Sequence, residues 1–380
     1  MKKKGTFFLF ILLLCVYIFL FPFPLKKEIC LFPVWVKDIS HPEIQHEPAE
    51  GIAVPFRLGD TFGFVSEKGV LSLAESVLYD VAYDEKFLDR GGFVNYSSIS
   101  DKLVFRDRRG DFLFTVETHG YPILMKGRIF VISTERATLA EYDTSGVLLW
   151  EKGYTSIITS VDATAADIAD PLVVVSLLNG KTEVLSRKGS VVFRSETEGS
   201  RVSVAYGCGV SSDGQFFAVS RGIDPRRIVV YERKSGQFRK LFEREIDEKS
   251  RRQTGIRFSD DATRILVTGD GVLHIFDLKG NGVDYFFQGK LLSYGYDGEG
   301  ELAYMLSSEG DKGIFSLFDP SGFSMWSSRM SISAAEKSER SPFTVVKKEF
   351  PAGVTILSKR GRSYYLGIDS KLMRIDREEL

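Results

Sequence analysis

Residues 258–280, FSDDATRILVTGDGVLHIFDLKG, place two short apolar runs on either side of a Gly-Asp-Gly turn and close each end with a polar turn. Runs rich in Val, Ile, Leu and Phe between glycine-bearing turns predict paired β-strands. The unit recurs along the chain. It is written FVSEKGVLSL (64–73), FRDRRGDFLF (105–114), YDTSGVLLW (142–150) and LSRKGSVVF (185–193). It continues as YERKSGQFRKLF (231–242), FDLKGNGVDYFF (276–287), FDPSGFSMW (318–326) and LSKRGRSYYL (357–366). The turn glycines are Gly69, Gly110, Gly146, Gly189, Gly236, Gly280, Gly322 and Gly361, at intervals of about 42 residues. Glycine suits these turns because hairpins need positive φ, which a Cβ resists.

Further apolar runs precede each hairpin. GRIFVIST (127–134), PLVVVSLL (171–178) and GQFFAVS (214–220) are examples, and TSIITSVDA (155–163) and RVSVAYGCGV (201–210) lie upstream of them. The chain therefore writes about four strands per period, and a four-stranded period of about 40–45 residues is the blade of a β-propeller. Eight similar hairpins exceed what one β-sandwich uses. The expected architecture is an all-β propeller of seven or eight four-stranded blades over residues 51–380. Seven follows if the short first unit (51–76) and the last unit share one blade, which would also remove a free sheet edge. Helical turns are expected only at ESVLYDVAY (75–83) and TAADIADP (164–171).

The N-terminus breaks this pattern. Three lysines, Lys2–Lys4, precede an apolar run from Thr6 to Leu25, and roughly 20 apolar residues match a bilayer core of about 30 Å. Residues 20–31, LFPFPLKKEICL, lack the small residues that signal peptidase requires, and neither Cys15 nor Cys30 follows a small residue as a lipoprotein signal demands. The expectation is a cytoplasmic N-terminus (1–5), an uncleaved transmembrane signal anchor (6–25) and a tether (26–50) carrying His41 and His46. The positive-inside rule then puts the propeller on the extracytoplasmic side.

Composition fits this picture: 43% apolar residues, with 30 Phe, 15 Tyr and 35 Gly. Residues 1–27 hold five Lys and no acid, which leaves 45 basic and 51 acidic residues in the body. Such a balance, about −6, excludes the basic footprint of a nucleic-acid-binding domain. The chain contains no G-x-S-x-G, P-loop, H-E-x-x-H or C-x-x-C. No catalytic, cofactor-binding or metal-ligating residue is assigned, and no cofactor is expected. His274 lies in a strand, as a hydrogen-bonded packing residue. His119 is read as structural and Cys208 as a buried small hydrophobe, with a disulfide to Cys30 the lesser alternative. DGEGE (297–301) reads as a solvated turn. The charged insertions FEREIDEKSRRQ (242–253) and AAEKSERSP (334–342) are the best candidates for a partner-facing edge, because loops on a rigid scaffold carry recognition.

Two families are visible in the repeats. GIRFSDDATRILVTGDGVLHIFDLKG (255–280) resembles a WD40 repeat, and GVSSDGQFFAVS (209–220) matches its first half. YDTSGVLLW and FDPSGFSMW resemble repeats of the quinoprotein type, with Trp150 and Trp326 in equivalent places. Enzymes of that type hold a quinone over a Trp and use acidic residues for calcium, and neither can be placed here. Members without the cofactor act as scaffolds, among them a periplasmic propeller that helps assemble outer-membrane proteins. The resemblance implies a membrane-anchored extracytoplasmic scaffold that binds a protein partner. The alternatives are an enzyme or small-ligand binder working at the central channel, and a cytoplasm-facing WD40-like adaptor.

Overall fold

The computed structural model describes residues 29–39, 53–87, 91–98, 101–246, 252–297, 302–319, 344–351 and 353–379. None of them forms an α-helix, and no helix among them is long and apolar enough to cross a membrane. The apolar segment 6–25, with Cys15, His41 and His46, lies outside the described residues.

Eight antiparallel sheets follow one another around the chain. Blade 1 shows Ala53–Leu58, Thr61–Ser66 and Leu71–Ser76; blade 2 is Asp80–Asp84, Gly92–Tyr96, Lys102–Asp107 and Phe112–Glu117. Blade 3 is Gly120–Met125, Arg128–Ser133, Thr138–Tyr142 and Leu148–Gly153; blade 4 is Ile158–Ala163, Val173–Leu177, Lys181–Leu185 and Val191–Glu196. Blade 5 is Val202–Val210, Phe216–Ile223, Arg226–Lys234 and Gln237–Ile246; blade 6 is Ile256–Phe258, Arg264–Thr268, Val272–Asp277 and Gly282–Phe286. Blade 7 is Lys290–Tyr296, Ala303–Glu309, Lys312–Phe318 and Thr344–Pro351; blade 8 begins with Thr355–Arg360, Ser363–Ile368 and Lys371–Glu379. In each full blade we letter the strands a to d from the channel outward. The ab and cd turns then lie on one face, called upper. The bc turns and blade-to-blade links lie on the lower face.

The propeller has eight blades, and the ring closes through the segment expected to be a tether. Ile29–Asp38 pairs antiparallel with Lys371–Glu379 and becomes strand d of blade 8. An N-terminal strand thus covers the sheet edge that the C-terminal strand would otherwise expose. Pro33 is tolerated there because the strand is outermost and the register shifts between Pro33 and Trp35.

Three further expectations are corrected. The hairpin at 357–366 is the ab hairpin of blade 8, so Gly361 is not equivalent to the other turn glycines. Lys312–Phe318 pairs with Thr344–Pro351 and not with residues 321–326, because the charged insertion intervenes before strand d. Gly322, Trp326 and 334–342 lie outside the described residues. The helical turns do not form either: 75–83 ends one strand and begins the next, and 164–171 is an irregular ab connection.

The core is eight separate layers, one between each neighbouring pair of blades. Ile265 and Val267 join Ala218, Ile228, Val230 and Ile246 of blade 5. Leu266, between them in sequence, faces the other way and joins Ala303, Met305 and Phe318 of blade 7. Because both faces of a middle strand are buried, alternation vanishes and the strand reads as an unbroken apolar run, as in Val173–Leu177.

The cd turns lock neighbouring blades. Asp143 Oδ1 accepts from Ser145 N (2.9 Å), Ser145 Oγ (2.7 Å) and Val147 N (2.9 Å). These bonds, led by the Ser145 hydroxyl, hold its carboxyl below the usual carboxylate range. Asp107 and Asp277 cap their own turns in the same way. The glycine that follows sits against strand d of the preceding blade. A Cβ on Gly146 would lie 2.8 Å from Phe114, on Gly189 2.7 Å from Trp150, and on Gly280 3.0 Å from Phe242. Gly69 meets Trp35 in the same manner, so the three described strands of blade 1 are its b, c and d.

Candidate functional site

The residues singled out by sequence do not gather into one site. Cys30 and Cys208 are both free thiols, in blades 8 and 5. Burial pushes the Cys208 thiol up to about 12, so it stays protonated and unreactive at neutral pH. His274 Nδ1 lies 2.7 Å from Asp284 Oδ1, across the strand pair. The exposed His119 stands 3.4 Å from Asp101. Arg128 links blade 3 to blade 4 by donating from Nη1 to Leu172 O at 2.9 Å, and within blade 3 Glu141 takes its other arms at 2.7 and 2.8 Å and accepts Trp150 Nε1 at 2.6 Å. Arg128, Glu141 and Trp150 are all buried.

Asp297, expected in a solvated turn, is buried. Its place explains why. In blades 4, 5 and 6 the residue ending strand a is Thr164, Ser211 or Ser259. Its hydroxyl accepts the N–H of the residue opening strand b, namely Leu172, Phe216 or Arg264. Its own N–H donates to the carbonyl of the same residue. Asp297 does the same for Leu302 in blade 7. A carboxylate has a second oxygen, and this one reaches Arg377 of blade 8.

Two surfaces remain as candidates. The first is on the outer rim. Within three residues after the cd turn glycines of four consecutive blades stand exposed apolar side chains: Val70, Phe112, Val147 to Leu149, and Val192. Phe112 is 62% exposed and Val147 59%. The equivalent stretches of blades 5 and 6 begin Gln237 and Asn281 and carry no exposed large apolar residue before Phe286, apart from Leu241. Among the described residues the upper rim is therefore apolar over blades 1 to 4, while Val345 of blade 7 and Phe32, Val34 and Val36 of blade 8 are exposed along their outermost strands.

The second is a cavity of about 750 Å³ in the channel, lined by the inner strands of blades 4 to 7. Inner strands crowd at the axis, and glycines permit it: a Cβ on Gly207 would meet the Thr254 carbonyl at 1.9 Å. Lys126, Asp162 and Asp260 belong to its upper end, where Lys126 Nζ is 3.4 Å from Asp162 Oδ1. Arg226, Arg252, Arg257, Asp270 and Lys290 line the remainder toward the lower mouth. The Arg226 guanidinium lies 4.6 Å from the Tyr206 ring and that of Arg257 5.1 Å from the Tyr294 ring. Of the stretch 242–253 expected as an insertion, residues 242–246 belong to strand d of blade 5, while Arg252 and Gln253 line this mouth, where Gln253 Nε2 donates to Thr159 O at 2.9 Å. Sequence reasoning marked that insertion but not the convergence, since its members come from distant turns. No group of three or more His, Cys, Asp or Glu among the described residues is arranged to hold a metal ion.

A family model described as beta-propeller protein matches residues 1–380. An uncharacterized protein of Treponema pallidum (strain Nichols) is 22% identical over 356 residues, covering 90% of this chain and 86% of that protein. Among solved structures, BamB from Moraxella catarrhalis is similar with a TM-score of 0.59 at 13% identity, over 91% of this chain and all of its own. The WD40 domain of Toxoplasma gondii coronin gives a TM-score of 0.52 at 12% identity, over 77% of this chain and 87% of that domain. Hydrazine synthase from Kuenenia stuttgartiensis gives 0.51 at 13%, over 75% of this chain and 92% of that chain. At these identities the likeness is one of fold.

Proposed function

We propose, from the premise that the chain belongs to the beta-propeller protein family whose model spans it, that it is a membrane-anchored, extracytoplasmic scaffold that binds a protein partner at the cell envelope. The observation that carries the reading is the arc of exposed apolar side chains from Val70 through Phe112 and Val147–Leu149 to Val192. Exposed apolar side chains repeated at one level of a rigid body are what protein contacts use, and the arc runs over four consecutive blades. The anchor is supported by the apolar run 6–25 behind Lys2–Lys4 and by the absence of small residues in 20–31. The strand Ile29–Asp38 follows that run within a few residues, so the anchor would lead straight into the seam of the ring.

The test compares co-purification from native membranes for the wild-type chain and for Phe112→Asp/Leu148→Asp. The expected result is a partner retained by the first and lost by the second, with equal thermal stability. Equal recovery with both would remove the rim from the contact. A periplasm-active alkaline phosphatase fused after the C-terminus reports topology, and an inactive fusion overturns the extracytoplasmic placement. Mass spectrometry of the extracted protein should find the N-terminal peptide; a mature start within 22–50 overturns the anchor.

A further inference from the structure

The lower mouth of the cavity is cationic in a body that is not. Four cations, Arg226, Arg252, Arg257 and Lys290, line it toward that mouth against one carboxylate, Asp270. The upper end reverses the balance, with Lys126 against Asp162 and Asp260. Residues 28–380 carry a net acidic charge, so this potential is local, and a concave site with low-dielectric walls focuses it.

The cations differ in exposure. Arg226 is buried, held over Tyr206, with Nη1 3.4 Å from Thr254 Oγ1. Arg257 is held over Tyr294. Stacked guanidiniums are pre-organised for planar carboxylates. Arg252, its side chain 82% exposed and its Nη1 3.9 Å from Asp270 Oδ1, and the exposed Lys290 stand at the lip, where long side chains steer an incoming anion. One buried guanidinium and three exposed cations make a graded path into the channel.

We propose that the lower mouth binds an acidic segment of a partner protein, a stretch of chain presenting several Asp or Glu side chains. The four cations come from three consecutive parts of the ring: strand c of blade 5, the link and first strand of blade 6, and the first strand of blade 7. A compact anion meets only some of them, whereas an extended chain with spaced carboxylates follows the three exposed ones, Arg252, Arg257 and Lys290, with the buried Arg226 behind them. The volume of about 750 Å³ lies within the range that bound ligands fill. This site is on the opposite face from the apolar arc and does not depend on it.

The probe is a fluorescein-labelled octaglutamate peptide titrated into the full chain in detergent, with octaglutamine as the uncharged twin and tripolyphosphate as competitor. The expected result is saturable binding of octaglutamate alone, weakened by salt. Arg252→Glu/Lys290→Glu should weaken it at least about tenfold, as reversal of steering charges does. Lys234→Glu/Arg239→Glu, an equal charge change on the outer hairpin of blade 5, should leave it unchanged. Equal loss in both double variants would reduce the effect to overall charge and overturn the site. Binding of octaglutamine, or displacement by tripolyphosphate at concentrations well below the peptide's own Kd, would overturn the acidic-segment assignment. Thermal melts of both variants separate lost binding from lost folding.

Discussion

Arg377 Nη1 stands 2.8 Å from Asp297 Oδ2, and both side chains are 1% exposed. The pair joins blade 7 to blade 8, and Arg377 lies on the seam strand itself, opposite Leu31. A buried ion pair is weak evidence of net stabilisation, but breaking one partner leaves a charge in the interior. Asp297→Ser restores the hydroxyl that Ser211 and Ser259 use in the same place, so the turn survives while Arg377 loses its carboxylate. The single variant should lose about 3–5 kcal/mol. Adding Arg377→Leu should recover most of that loss. Chemical denaturation of the four members of the cycle checks it, and additive losses would deny the coupling.

The turn glycines separate two costs. Gly236 has φ +80° and nothing within 4 Å of a Cβ. Gly236→Ala should cost only the left-handed penalty, about 1–2 kcal/mol. Gly189 has φ +74° and would drive its Cβ to 2.7 Å from Trp150. Gly189→Ala should therefore cost more by about 1–3 kcal/mol, the usual price of overpacking. Equal melting temperatures for the two would show that the Trp150 contact is dispensable.

Val267 is fully buried in the layer between blades 5 and 6. Val267→Ala should cost about 1–3 kcal/mol through lost burial and the cavity left behind. Gly271, in the same hairpin, has φ +71° and would place a Cβ 3.3 Å from the Phe287 carbonyl. Gly271→Val should lower the melting temperature further, and an unchanged value for Val267→Ala would remove that strand from the core.

Alkali should unfold the protein. Burial pushes the phenols of Tyr83, Tyr154, Tyr296 and Tyr364 well above their ordinary range. Each stays protonated when folded but ionises near pH 10 when unfolded. The stability they contribute is fully present below about pH 10 and is lost as pH rises toward the folded-state values. Phenolate absorbance should show these tyrosines titrating in one step with loss of the β-sheet circular dichroism. A smooth titration ahead of unfolding would contradict their burial.

What sequence revealed followed the physics of short range. Gly69, Gly110, Gly146, Gly189 and Gly280 announce their hairpins because positive φ and an Asp or Ser cap are local demands, and Gly236 does so through the two-residue turn Ser235-Gly236, both at positive φ. The layered core was legible for the same reason, since Ile265 and Val267 share a face by alternation alone. The closing strand was not. ICLFPVWVKD carries a proline and follows an apolar run, and the partner that makes it a strand is residues 371–379. Gly361 misled because an ab hairpin and a cd hairpin make the same local demand. The cavity was invisible because Arg226, Arg257 and Lys290 each look like any strand-end cation until the ring brings them together.

The seam between Ile29–Asp38 and Lys371–Glu379 also sets a timetable. The two strands of the seam pair at separations of about 330 to 350 residues, and contacts so distant in sequence form slowly. During synthesis the early strand has no partner, and seven blades accumulate around an unfinished circle. A nascent chain stalled short of residue 371 would be an open arc with an adhesive edge at each end, able to capture another such arc. The ring is thus a structure whose first-made strand must be kept unpaired until almost the whole chain has been made.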